Sequence, residues 1–112
     1  MKVGIAYDVF FEKHLTGSGH PEQPARTARI YKELAKTGLL DDAIPVETRA
    51  CDEEILKFAH QPAYLAQAKK DIQQGLPTLT TGDTQVCKDS WEVSLRATGS
   101  AVCAVEQIIK GK

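Results

Sequence analysis

Three histidines, His14, His20 and His60, and three cysteines, Cys51, Cys87 and Cys103, are the side chains here from which a metal centre or a nucleophile could be built. A catalytic zinc needs about three convergent His, Asp, Glu or Cys ligands and one open position for water. His14 and His20 share one stretch of chain and could meet, but His60 lies beyond another helix, and neither His-Glu-x-x-His nor Asp-x-His occurs. Each histidine is therefore expected to hydrogen-bond locally. The cysteines are odd in number, widely spaced and lack a Cys-x-x-Cys pair, which leaves no zinc ribbon or redox loop. Gly17-Ser18-Gly19 sits where a phosphate loop would follow a first strand. It matches neither Gly-x-Gly-x-x-Gly nor Gly-x-x-x-x-Gly-Lys-Ser/Thr, and Glu22 would put a carboxylate at the helix start that a phosphate needs. Ser90 and Cys87 have no Gly-x-Ser-x-Gly elbow and no histidine nearby in sequence. Asp83, in Gly82-Asp83-Thr84, reads first as a turn residue. Arg26 and Arg29 fall on the first helix, and their types alone do not choose between a solvated face and a site.

The elements that must position these residues follow from period and punctuation. Val3 to Tyr7 reads as a buried strand, and Asp8 stands at its carboxyl end, where α/β proteins bind ligands. Val9 to Gly19 has no period and reads as a loop. Pro21 and Pro24 introduce a helix over about residues 23–37 with Pro24, Ala28, Tyr31, Leu34 and Ala35 on one face. Gly38 supplies its left-handed C-cap, and Leu39 folds back onto the helix end. Ile44 to Thr48 is a second strand, which Pro45 pushes toward an edge or a first position. Asp52 to Phe58 is a short helix with Ile55, Leu56 and Phe58 as its apolar side, and Pro62 opens another with Tyr64, Leu65, Ala68 and Ile72 on one face. Leu76 to Lys88 is a loop. Asp89 and Glu92 give a last helix the pattern of a capping box, with Leu95, Val102, Val105, Ile108 and Ile109 as its apolar face and Cys103 as a buried hydrophobe. A mid-helix glycine costs about 1 kcal/mol against alanine, so Gly99 marks a close approach to a sheet or another helix.

Strand, helix, strand and three further helices make a parallel βαβ unit with additions, an α/β class protein. With 112 residues, 42% of them apolar, the chain suits a single domain over 1–112. A formal net charge of -1 provides no basic footprint for nucleic acid or an anionic membrane. No apolar run approaches the roughly 20 residues of a membrane span, and Asp8 interrupts the opening run too soon for a signal peptide. A cytoplasmic location is expected.

The ordered line Tyr7-Asp8, His14-Leu15-Thr16-Gly17 and Gly19-His20-Pro21-Glu22-Gln23-Pro24-Ala25-Arg26, with Arg29, resembles the amino-terminal signature of the histone deacetylase superfamily, which includes acetoin-utilisation proteins and acetylpolyamine amidohydrolases. Gly38-Leu39-Leu40, His60 with Pro62-Ala63-Tyr64, Gly82-Asp83-Thr84, Ser90-Trp91-Glu92 and Gly99 continue the likeness in order. It implies a three-layer α/β/α arginase-like fold and hydrolysis of an N-acetyl amide by zinc-bound water. The family's Gly-His-His motif and its Asp-x-His zinc ligands do not occur in this chain, which looks like the front third of such a domain. The resemblance places Arg26 beneath the active site, on an internal cavity. It assigns His20, Pro21 and Glu22 to the turn that walls the substrate tunnel and matches Asp83 to an acidic rim residue. It further implies no cofactor in this chain, zinc belonging to the complete domain. The expected partner is a second copy or the carboxyl-terminal portion of the domain, because two strands cannot complete a parallel sheet.

Overall fold

The computed structural model describes residues 2–111. Two strands, β1 (Gly4–Ile5) and β2 (Ile44–Pro45), pair in parallel, with Gly4 opposite Ile44 and Ile5 opposite Pro45. Around them run a 3-10 turn at Val9–Lys13 and four helices: α1 (Ala25–Lys36), α2 (Glu53–Leu56), α3 (Pro62–Gln73) and α4 (Ser90–Ile109). The parallel α/β order expected from the sequence is the one observed. Both strands are shorter than their apolar runs. The Ile44 and Val46 amides donate to the Val3 and Ile5 carbonyls at 2.9 Å, and Pro45 between them has no amide to offer. Backbone groups alternate sides along a strand, so the far edge of β2 lacks its donor, whereas Gly4 on β1 faces away from β2.

Helix ends explain much of the chain's path. Gly38, at φ +79, closes α1 with a paired motif in which Leu39 N–H donates to the Leu34 carbonyl and Gly38 N–H to Ala35. Gly75 does the same for α3 through Leu76 to Asp71 and Gly75 to Ile72. The Asp52 side chain accepts from Glu54 N–H and stands outside α2, which is one turn rather than the full Asp52–Phe58 run. The expected capping box of α4 is absent. Asp89 is already in helical geometry and makes no cap bond, and Ser90 Oγ takes the Cys87 amide instead.

Val46 beside the sheet and Val93, Leu95 and Cys103 of α4 are buried, but the main apolar cluster lies away from the sheet. Ala68 and Ile72 of α3 meet Leu79 and Val86 of the following loop, with Trp91 against them. That loop, expected to be featureless, is a small antiparallel hairpin bridging Thr78 to Gln85, closed by Leu79 N–H to Thr84 and Val86 N–H to Pro77. Among the described residues the one large side chain sealed from solvent is a charged one. Asp71 is 1% exposed, and its two oxygens accept from Thr80 N–H, Thr80 Oγ1 and Gln67 Nε2, each at 2.8 Å. The stretch read as the loop Val9 to Gly19 begins with an ordered 3-10 turn, because the Asp8 carboxylate caps it at Phe10 N–H.

Several residues expected inside are outside. Phe58 is 88% exposed because α2 ends before it, and Val105, Ile108 and Ile109 are all more than half exposed at the end of α4. Cys103, at 3%, is the buried hydrophobe its surroundings suggested. No helix among the described residues is long and apolar enough to cross a membrane.

Gly99 carries the tightest contact. A Cβ there would stand 1.9 Å from the Arg49 carbonyl and 2.8 Å from the Cys51 amide, so α4 lies directly on the backbone just beyond β2. Gly99→Ala should therefore destabilise the fold by about 3 kcal/mol, an overpacking cost that backbone atoms cannot relieve by a rotamer change. Phe58→Ser should move stability by no more than about 0.5 kcal/mol. Urea unfolding of the two variants separates these outcomes, and similar losses in both would contradict the packing described.

Candidate functional site

At the carboxyl end of β1, Asp8 gathers three segments. One oxygen caps Phe10 N–H at 2.8 Å, and the other accepts from Thr48 Oγ1 at 2.7 Å and Arg96 Nη1 at 3.0 Å. The Thr48 hydroxyl, followed by the Phe10 amide, holds the Asp8 carboxyl below its ordinary range against the opposing effect of burial. The Arg96 guanidinium also lies over the Phe10 ring, 4.2 Å from its centroid, while its buried Nε has no partner among the described residues. No local sequence signal marks Arg96, whose partner is 88 residues away.

His14 is fixed by a second long-range bond, Nδ1 to Ser90 Oγ at 2.7 Å. Ser90 is 2% exposed and joins His14 to the Cys87 amide and sulfur. Burial pushes the Cys87 thiol up, but hydrogen bonds from Ser90 and the Leu15 amide outweigh it and leave a net downward shift. A cavity of about 290 Å³ opens beside this pair and is lined by His14, His60, Tyr64, Ser90, Trp91 and Ile72. The His60 and Tyr64 rings stand tilted on its wall, 5.4 Å apart.

The His20-Pro21-Glu22 turn is built mostly from its own backbone. His20 N–H donates to the Gly17 carbonyl, and His20 Nδ1 accepts from Glu22 N–H at 3.0 Å. Thr16 Oγ1 bonds the Glu22 carbonyl, and Gly17 N–H reaches Gln85 Oε1 on the hairpin. Arg26 pairs with Glu22 at 2.7 Å on the surface, with both side chains more than half exposed, and it borders a small cavity of about 140 Å³ with Phe11, His14 and Val93. Asp83 is exposed at the hairpin tip. The structure thus brings His14, Ser90 and Cys87 together, with His60 on the wall of the same cavity, and holds His20 within its own turn.

This parallel α/β arrangement is that of a deacetylase-type domain. The chain superposes on the HD domain of HDA15 with a TM-score of 0.84, covering 98% of this chain and 32% of that one at 21% identity. Histone deacetylase HDA1 of Candida albicans and HDA1 of Saccharomyces cerevisiae are each 30% identical to it over 139 residues. The alignment takes in all of this chain but only 16% and 19% of theirs. Residues 20–112 match the histone deacetylase domain, and the chain belongs to that family. The zinc implied by the family does not fit the side chains present: among the described residues no three His, Cys, Asp or Glu come together.

Asp8 and Asp71 are both held below their ordinary value of 3.8, Asp71 first by the Thr80 amide and then by its other donors. A carboxylate whose folded value lies below its unfolded one contributes stability that is present above the unfolded value and lost as pH falls through the folded one. Unfolding midpoints should therefore drop below about pH 4, and Asp8→Asn with Asp71→Asn should flatten that acid limb. An unchanged acid limb in the double variant would count against these two sites.

Proposed function

We propose that the chain forms the amino-terminal portion of a zinc-dependent hydrolase domain acting on N-acetyl-lysine or acetylpolyamine amides, and that it is inactive alone. The observation that carries this reading is a likeness to the family running in order along the whole chain, in which neither Gly-His-His nor Asp-x-His occurs. The His20-Pro21-Glu22 turn is then a support for the tunnel wall, Arg26 a cavity residue beneath the site and Asp83 a rim contact for substrate backbone. Arg26 borders a small cavity while paired with Glu22. The partner implied is the remainder of a deacetylase domain, which would bring the zinc ligands. Three free cysteines support a reducing, cytoplasmic setting, and a net charge of -1 supports neither nucleic acid nor membrane as a partner.

A second reading, a stand-alone non-catalytic module that self-associates, is favoured by shape. The molecule is a slab 17 Å thick with a radius of gyration of 15.7 Å, against about 13 Å for a compact chain of this length. With zinc supplied, the purified chain should release no acetate from an acetyl-lysine reporter above the buffer rate. Zinc-dependent turnover that a chelator abolishes would overturn the proposed inactivity.

A further inference from the structure

The His20-Pro21-Glu22 turn hangs from a short stretch of chain that is itself held from outside. His20 N–H donates to the Gly17 carbonyl and Thr16 Oγ1 to the Glu22 carbonyl, so residues 16 and 17 carry the turn. Four bonds tie this stretch to residues 85–90. Cys87 Sγ accepts from Leu15 N–H at 3.2 Å and donates to the Lys13 carbonyl at 3.1 Å, and Ser90 Oγ meets His14 Nδ1 at 2.7 Å. The fourth, Gln85 Oε1 accepting from Gly17 N–H at 2.5 Å, lies nearest the turn. Three of the four end on backbone atoms, which fixes the path of the chain rather than one side chain.

Gln85 is a firm support because its own arm of the hairpin is anchored on both sides. The Thr84 carbonyl accepts from Leu79 N–H, Val86 N–H donates to the Pro77 carbonyl, and Val86 is buried in the apolar cluster. On the opposite arm, Thr80 is tied by its amide and its hydroxyl to Asp71, the sealed carboxylate of α3. Burying a carboxylate is costly unless donors satisfy it, and here the donors join the hairpin to the helix. Gly17 suits the same arrangement, since a Cβ there would stand 3.0 Å from Gln85 Oε1 and crowd the acceptor. Hydrogen bonds and the hairpin backbone thus run without a break from Asp71 through Gln85 and Gly17 to the turn. Every link lies within this chain, so the relay does not depend on what covers the sheet.

We propose that Gln85 is the positioning residue of the His20-Pro21-Glu22 turn, acting through Gly17, and that the turn and the hairpin bearing Asp83 move as one body. What the turn and Asp83 face rests on the deacetylase reading, whereas the hold itself does not. In a complete domain the tunnel wall and its acidic rim would then keep a fixed separation, and Gln85 sets it.

Amide hydrogen exchange on Gln85→Leu, which keeps most of the side chain's bulk and removes its acceptor, tests the hold. The Gly17, His20 and Glu22 amides should exchange about fivefold faster or more, while those of Leu79 and Val86 keep their rates. Gln85→Glu retains an acceptor oxygen and should bring the turn back to within about twofold of the unsubstituted chain. Gly17→Ala should loosen the same three amides, and adding it to Gln85→Leu should loosen them no further, because both changes act on one contact. Equal acceleration of turn and hairpin amides would make Gln85 a general stabiliser and overturn the proposal. An undisturbed turn in Gln85→Leu, a failed rescue by Gln85→Glu, or additive losses in the double variant would overturn it as well. Zinc-dependent acetate release by the chain alone, with the turn loosened only where the Gln85 contact is broken, would sink the inactive-fragment reading and still support the hold.

Discussion

The seating of α4 on bare backbone at Gly99 is the contact from which the other long-range contacts follow. With the helix that close, Leu95 can accept the Cys51 amide, Arg49 can reach Glu106, and Arg96 can reach Asp8 at the end of β1. The first turn of the same helix delivers Ser90 to His14 and Trp91 to Glu53. Lys69, followed by the Trp91 indole, holds the Glu53 carboxyl below its ordinary range. A side chain at position 99 lifts the helix and loosens all of these together. Packing at one glycine thus fixes where the polar clusters can form.

Two centres of order result, and they differ in kind. Around α3 and the hairpin, burial of Ala68, Ile72, Leu79 and Val86 is combined with a fully satisfied Asp71. Around the sheet, order rests on hydrogen bonds and on the stacked Tyr7 and Tyr31 rings, 4.0 Å apart, while the apolar face stays open. Family membership makes sense of the division. A parallel sheet is normally covered on both faces and continued at its sides, and this chain spans about a third of the structural relative on which it superposes.

What could be read from the sequence was local. Gly38 and Leu39 announce the end of α1, Pro62 announces the start of α3, and Gly99 announces a close approach, because each acts within a turn or on its own backbone. The His-Pro-Glu run was legible as a family landmark rather than as chemistry. Pairings across tens of residues were not legible: His14 with Ser90, Asp8 with Arg96, and Gly17 with Gln85 have no common sequence signal. Asp71 was hidden for another reason. A carboxylate at the end of a helix ordinarily faces water, and only the Thr80 turn folding over it makes it the best-sealed side chain of the core. Asp89 misled in the opposite sense, since it is already in helical geometry and makes no cap bond.

The proposed reading gives these residues the supports of a deacetylase site without its metal centre. Thermal unfolding in excess zinc and in chelator examines it directly. The same midpoint is expected in both. A midpoint that rises with zinc, as a ligand at a hundredfold excess over its Kd would raise it by about 2.7 kcal/mol of stability, would contradict it.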